Sequence, residues 1–393
     1  MVGHPPGGAQ GQPGQAAALT PAQVHLLLSD EGRAAVVQAC ALELSDRIGA
    51  AEAMRPLGDV GRLALDQARL RQRAVAKHPD GASWWWTAEA LEQSTPRAVA
   101  AHHAQRFAGS AHVLDLGCSV GGDLGSLSAV SPCSGVDLDL ARLLLARENV
   151  PGVPLVCADV TTLRVHGAVF ADPARRFGGR RGFDPQSWSP PLSSVLSWPT
   201  TALGVKVAPG IDYDALDPSV EVEVVSLGGD VKEAVLWTGA VRSGVRRTAT
   251  VLPGPHTLKE SASPVPVVRA PGRFLLEPDG AVIRAHLVAE VCVLVDGWLL
   301  DSSIAYVAGD LVVPTPFGKW YEVLEVLPFS LKGLKQRLRA HDAGPLVVKK
   351  RGTAVQPEVL RKQLKLTGSR EVTVVLTRAK GRQIALIVQP VSA

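Results

Sequence analysis

The stretch that decides the fold is HVLDLGCSVGGD, His112 to Asp123. "HVLDL" is a short apolar strand that carries one acid, Asp115. "GCSVGGD" is a glycine-rich turn, and "LGSLSAV" begins a helix. Glycines at such a turn let backbone N–H groups come close to a ligand at a helix start. The loop lacks the spacing of a dinucleotide fingerprint, and no Gly-Lys-Ser/Thr follows to make a phosphate loop. An acid at the end of the first strand would repel a pyrophosphate. It suits a ligand with a positive group.

Downstream the same rhythm repeats. "SGVDLD" reads as a second strand ending at Asp137, and "LARLLLARENV" as the helix after it. "VPLVCADV" is a third strand ending at Asp159, and "GAVFADP" a fourth, running into Asp172 and Pro173. Strands alternating with helices at this spacing predict a parallel, doubly wound sheet. "TALGVKVAP", "SVEVEVVSL" and "EAVLWTGA" supply enough further strands for a sheet of about seven. A strand-end Asp is most often a helix cap. Acids at three successive strand ends, all on the carboxyl edge of one sheet, are harder to explain that way. A carboxylate after the second strand can accept both hydroxyls of a ribose, and one after the third can meet an adenine amino group.

Before this region the chain reads as a disordered lead-in rich in Gly, Pro and Gln (1–19), then a helical segment (20–105) opened by Thr20-Pro21. The sheet domain spans 106–250, a proline-rich junction 251–272, and a small α+β domain 273–393. That last part is to contain "AVIRAHLVAEVCV" as one helix, "SLKGLKQRLRAH" as a basic amphipathic helix, and a closing hairpin, "EVTVVLTRAKGRQIALIVQPV".

The 393-residue chain is 46% hydrophobic with a net charge of +4. That bland total hides an asymmetry. From Thr315 onward there are 15 Lys/Arg against 5 Asp/Glu, a balance of +10, so the first 314 residues carry −6. A polyanionic partner for the C-terminal part is the expectation. Its candidate contacts are Lys332, Lys335, Arg337 and Arg339 on one helix and Lys349, Lys350 and Arg351 at a strand end. The alternative for these residues is a solvated basic face. Cys40, Cys118, Cys133, Cys157 and Cys292 form no CxxC pair and have no His-rich neighbourhood, so neither a metal site nor a disulfide framework is expected. With no apolar run long enough for a bilayer and no secretory signal, the expectation is a cytoplasmic protein that neither enters a membrane nor binds a metal. The sequence sets no oligomeric state.

Asp115-x-Gly117, Asp137, Asp159 and Asp172-Pro173 resemble the successive motifs of class I S-adenosylmethionine-dependent methyltransferases, over about residues 80 to 250. Within that class, "WWWTAEALEQSTP", "GCSVGGD" and "FADPARR" resemble bacterial methyltransferases with a THUMP-like C-terminal domain, and more distantly the RNA cap hypermethylases. "EPDGAVIRA", "TPFGKWYEV" and "VVKKRG" resemble that C-terminal module. The resemblance implies an α/β fold: a Rossmann-like seven-stranded methyltransferase sheet, a helical N-terminal segment, and a ferredoxin/THUMP-like α+β domain. It implies S-adenosyl-L-methionine as cofactor, with Asp115 and Gly117 at the methionine end, Asp137 at the ribose, Asp159 at the adenine, and Ser119 and Gly121 of the same loop also binding the cofactor. It also implies methyl transfer to a base amine of RNA, with Asp172 and Pro173 at the reacting centre. One departure stands at Ser119, where the family usually has a second glycine. A serine can sit there if its backbone angles are ordinary, but not easily if positive φ is required.

In related amine methyltransferases the fourth strand ends in an acid or amide, two prolines and an aromatic. Here Ala174 and Arg175 replace the second proline and the aromatic. A base-stacking partner would then come from elsewhere: Trp84, Trp85 and Trp86, or Phe177, Trp188 or Trp198. The alternative for the three tryptophans is packing of the helices onto the sheet. Arg175 and Arg176, with Arg180 and Arg181 beyond the glycines, suit phosphate contacts. A different reading of the incomplete motif and of Ser119 is a scaffold that keeps the fold and binds RNA or nucleotide without transferring a methyl group.

Overall fold

The computed structural model describes residues 18–174, 176–177, 180–181, 184–262 and 265–391, with the backbone alone at 176–177 and 180–181. The first 17 residues of the expected lead-in, and Arg175 of the expected site, lie outside the described residues. Two compact units make up the chain, Met1–Ala174 and Arg175–Ala393.

Helices open the first unit: α1 (Pro21–Leu28), α2 (Asp30–Cys40), α3 (Arg47–Met54), α4 (Gly58–Ala74), α5 (Ala88–Gln93) and α6 (Arg97–Gln105). Their starts follow the local chemistry. Thr20 and Gln23 form a reciprocal capping box with Pro21 in the first turn, Ser29 caps α2, and Thr87 caps α5 by accepting the Ala90 N–H at 3.0 Å. Then come β1 (Val113–Leu116), α7 (Leu124–Leu127), β2 (Cys133–Asp137), α8 (Leu140–Asn149), β3 (Leu155–Cys157) and β4 (Gly167–Ala171). The order across the sheet is β4-β1-β2-β3, and every pair is parallel. The carboxyl ends of all four strands therefore share one edge.

The second unit begins with β5 (Arg176–Phe177) and β6 (Arg180–Arg181), paired antiparallel, then α9 (Leu192–Leu196). Next come β7 (Thr200–Val207), β8 (Glu221–Leu227), β9 (Asp230–Gly239), β10 (Arg247–Leu252) and β11 (His256–Lys259). They lie in the order β7-β9-β8-β10-β11, with β9 antiparallel between β7 and β8. β8 and β10 are parallel, and β11 closes antiparallel on β10. The proline-rich stretch thus holds β11 as well as turns.

The remaining elements are β12 (Phe274–Pro278), α10 (Gly280–Arg284), α11 (Val288–Leu294), β13 (Trp298–Asp301), β14 (Ile304–Gly309), β15 (Gly318–Pro328), α12 (Leu331–Ala340), β16 (Ala343–Lys350), α13 (Pro357–Leu364), β17 (Arg370–Ala379) and β18 (Arg382–Pro390). The helix expected across 281–293 is two, because His286 takes φ +59° and breaks the run. The seven strands run β13-β14-β12-β15-β18-β17-β16, parallel only at β16–β17. One face buries Leu334 and Leu338 of α12 and Leu360 and Leu364 of α13 against Val374, Leu376, Ala385 and Ile387. The other packs Val375, Leu386 and Val388 against Leu300, Ile304 and Tyr306 of the β13–β14 hairpin. Among the described residues no helix is long and apolar enough to cross a membrane, and no cluster of three His, Cys, Asp or Glu is placed to hold a metal.

Candidate functional site

Gly117 leaves β1 at φ +89°, a conformation that L side chains rarely adopt. Its N–H donates to the Val136 carbonyl at 2.8 Å, while the Asp172 N–H donates to the Leu116 carbonyl at 2.9 Å. A Cβ added to Gly117 would stand 2.7 Å from the Asp172 carbonyl oxygen. The glycine loop and the Asp172 backbone are thus in contact at the carboxyl ends of two neighbouring strands. Asp172 is half-buried and Pro173 buried.

Ser119 has φ +52°, so the strained alternative for this position holds. Its N–H donates to Asp137 Oδ2 at 2.8 Å, and Asp137 Oδ1 accepts the Asp139 N–H at 2.9 Å. Asp137 therefore anchors the glycine loop and the start of the following turn with one oxygen each. Each oxygen keeps a second lone pair for another donor. Gly121 sits at φ +96° with Val150 Cγ2 2.8 Å from the place a Cβ would occupy.

Asp115 is 1% exposed, in register with Gly135 and Phe170. Burial pushes the Cys118 thiol far up, and Asp115 and Asp137 push it further, so Cys118 stays protonated. Cys133 rises to about 11 for the same reasons, burial first and then Asp115. Asp159 lies two residues beyond β3, exposed. Its Oδ1 accepts the Thr161 N–H at 2.9 Å and the Thr161 hydroxyl at 2.7 Å, which hold the carboxyl below its ordinary range. It caps a short turn.

The tryptophans lie in packing. Trp86 is fully buried; its Nε1 donates to the Gly81 carbonyl at 3.0 Å, and its backbone exchanges hydrogen bonds with the Gln67 amide. Trp85 has the Arg71 guanidinium 4.5 Å from its ring centre and that of Arg33 at 5.4 Å. Trp84 stacks on Trp86 at 5.6 Å and has Arg97 over it at 5.0 Å. His78, against both rings, is driven down to about 4, chiefly by burial and then by Arg97.

One positioning residue escaped sequence reasoning: Asn149. Its Oδ1 accepts the Trp85 N–H at 2.8 Å, and its Nδ2 donates to the Trp85 and Val120 carbonyls, each at 2.9 Å. This one amide ties the tryptophan segment to the middle of the glycine loop. The only sequence signal was a polar residue at the end of a helix, which reads as an ordinary terminus.

In the second unit, the Arg176 backbone pairs with Arg181 in the short hairpin. Lys349, Lys350 and Arg351 divide by strand alternation. Lys349 Nζ lies 2.6 Å from Glu277 Oε2, and Arg351 lies 3.9 Å from the same carboxylate. The two cations stand over the rings of Tyr321 and Tyr306, at 5.4 Å and 5.2 Å. Burial works against the Lys349 charge, and Glu277 more than offsets it, so its pKa is raised. The Tyr306 phenol is pushed up to about 12, mostly by burial. Lys350 points the other way and is exposed. Arg337 is committed to Glu325, which also accepts from His341 at 2.8 Å; that carboxyl is held down to about 2, with the Arg337 hydrogen bond the largest cause.

The first unit thus presents a backbone cradle with two positive-φ glycines, plus carboxylates on β1, at the end of β2, and after β3 and β4. A close-fitting loop at Gly117 and a carboxylate with spare lone pairs at Asp137 fit S-adenosylmethionine, which combines a cationic amino-acid end with a ribose diol. Comparison with known proteins agrees. A protein of Mycobacterium tuberculosis described as an uncharacterized S-adenosylmethionine-dependent methyltransferase is 38% identical over 338 residues, covering 82% of this chain and 94% of its own length. A crystal structure of a candidate methyltransferase from Porphyromonas gingivalis W83 superposes with a TM-score of 0.72 at 18% identity, over 91% of this chain and 98% of that one, and so shares the fold. Residues 318–390 match the THUMP domain-like family. This chain belongs to the S-adenosylmethionine-dependent methyltransferases and carries a THUMP-like domain at its C-terminus.

Proposed function

We propose that this methyltransferase acts on RNA and places a methyl group on a base amine. The reading is carried by one juxtaposition: the Asp172-Pro173 turn lies against the glycine loop at Gly117. Asp137 and Asp159 would hold the ribose and adenine of the cofactor, and Asp115, Gly117, Ser119 and Gly121 its methionine end. When bound, S-adenosylmethionine supplies an electrophilic methyl group. Asp172 would accept a hydrogen bond from the amine and so fix its lone pair in line, and positioning of this kind accounts for most of the rate in such a displacement. Pro173 keeps the turn rigid. Trp85 acts through the loop, since Asn149 links it to Val120, and by their burial Trp84, Trp85 and Trp86 leave base stacking to another ring. Arg175 and Arg176 are assigned to phosphate. The layout that goes with this reading is a helical segment over 20–105, a catalytic domain over 106–250, a junction over 251–272 and an RNA-presenting domain over 273–393, acting in the cytoplasm.

The experiment is transfer of labelled methyl groups from S-adenosylmethionine into total RNA depleted of the modification, with Asp172→Ala alongside. Incorporation that is lost in the variant supports the reading. Incorporation into small molecules or protein alone overturns the RNA acceptor. The strained Ser119 favours a second reading, an RNA-binding scaffold without transfer; absence of S-adenosylmethionine binding by the wild-type chain in calorimetry would make that the better account.

A further inference from the structure

Of the cations in the C-terminal region, several are already engaged. Arg337 is bound to Glu325, Arg361 to Glu358, and Lys349 and Arg351 to Glu277. Lys332, Lys335 and Arg339 on α12, and Lys362 and Lys365 on and just after α13, form no ion pair among the described residues. On α12 the three cations recur at i, i+3 and i+7, one stripe, while Leu334 and Leu338 turn inward. On α13, Lys362 and Lys365 lie away from Leu360 and Leu364 in the same manner. Both helices bury those leucines in one cluster on a single face of the sheet. The two basic stripes, some 25 residues apart in the chain, are therefore brought to the same side of the domain. Glu358 shares the α13 stripe, and Arg361 neutralises it at 2.5 Å.

This side lacks something as well. Neither LKGLKQRLRA of α12 nor PEVLRKQL of α13 contains an aromatic residue. Binding of single-stranded nucleic acid relies on aromatic platforms for the bases, whereas a duplex presents only its backbone and grooves to such a surface. Resting on the RNA reading above, we infer that the α12–α13 face docks the sugar-phosphate backbone of a double-helical region of RNA, independent of sequence. In the Lys349–Arg351–Glu277 cluster two cations share one carboxylate, so it keeps a single net positive charge. With both side chains held against Glu277 and the tyrosine rings, it is a structural clasp and contributes less to that contact.

The test uses the full chain and fluorescence anisotropy, with a labelled RNA duplex of about two helical turns and a labelled oligouridylate of the same length, across a salt series. One variant carries Lys332→Gln, Lys335→Gln and Arg339→Gln; another carries Lys362→Gln and Lys365→Gln. Glutamine keeps helix propensity, and circular dichroism checks the fold. The wild-type chain is expected to prefer the duplex. The log–log salt slope should fall by about 3 in the first variant and about 2 in the second, with duplex affinity at physiological salt down by at least tenfold. Duplex binding with an unchanged slope in both variants overturns the assignment of the face while leaving RNA as partner. Tighter binding of oligouridylate overturns the duplex. No binding of either RNA by the wild-type chain overturns the RNA reading itself and this docking face with it.

Discussion

The backbone N–H of Ser119 donates to the carboxylate of Asp137 across 2.8 Å, from a residue held at φ +52°. The contact ties the glycine loop of β1 to the end of β2, and it explains why a serine tolerates the left-handed region here. A non-glycine residue pays about 1 kcal/mol for that conformation, and a charge-assisted hydrogen bond contributes a comparable amount. Replacing Ser119 with Gly removes the strain and keeps the N–H. We expect Ser119→Gly to be stabler by up to about 1 kcal/mol in urea, with cofactor affinity equal or higher. Ser119→Val, β-branched and still at positive φ, should lose about 2 kcal/mol or more. A Val variant as stable as wild type would show that the loop relaxes out of the left-handed region.

Asp137 serves two roles, and a substitution series separates them. Asp137→Ala leaves the Ser119 and Asp139 N–H groups without their acceptor, at a cost of about 1–3 kcal/mol. Asp137→Asn keeps one carbonyl acceptor and should lose less. Titration calorimetry with S-adenosylhomocysteine is expected to show no binding in the Ala variant and at least tenfold weakening in the Asn variant. Full affinity in Asp137→Ala would mean that the ribose is held elsewhere.

How much of this was legible in advance depends on the kind of residue. The parallel strands could be read because each is a short apolar run bounded by glycine, proline or acid, and the basic helix because its leucines recur at helical spacing. The strands β12, β13 and β14 carry the same punctuation, Pro271-Gly272, Asp296-Gly297 and Asp301-Ser302-Ser303, and β13 and β14 form a hairpin. What the sequence leaves open is the pairing of β12 with β14 and β15, which only tertiary contacts define. At the site, Gly117 and Asp137 declared themselves by type and position. Asn149 did not: its value lies in matching the backbone of Trp85, 64 residues away. The choice among Lys349, Lys350 and Arg351 was equally invisible, since it turns on Glu277, 72 residues before Lys349.

That clasp gives a prediction of its own. Glu277→Gln leaves Lys349 and Arg351 half-buried without a counter-charge and should destabilise the second unit by about 2–3 kcal/mol. Lys350→Gln, at an exposed position, should shift stability by no more than about 0.5 kcal/mol. Chemical denaturation followed by tryptophan fluorescence reads both. Equal effects would show that the cluster carries no structural load.

His78 should make stability depend on pH in a defined window. It is buried, hydrogen-bonded through Nε2 to the Ser94 hydroxyl at 2.9 Å, and wedged against Trp84 and Trp86. Burial is the main cause of its low value of about 4; Arg97 and Lys77 add to the shift, and Asp80 and Asp123 oppose it. The folded state therefore holds a neutral ring where an unfolded chain, with the ordinary value near 6.5, takes up a proton. Between these limits the unfolded state binds more protons, so stability rises with pH from about 4 to about 6.5 and is level above. The full difference is on the order of 3 kcal/mol. His78→Gln should lower stability at neutral pH and flatten the slope across that window. A slope as steep in the variant as in wild type would assign the acid sensitivity to groups other than His78.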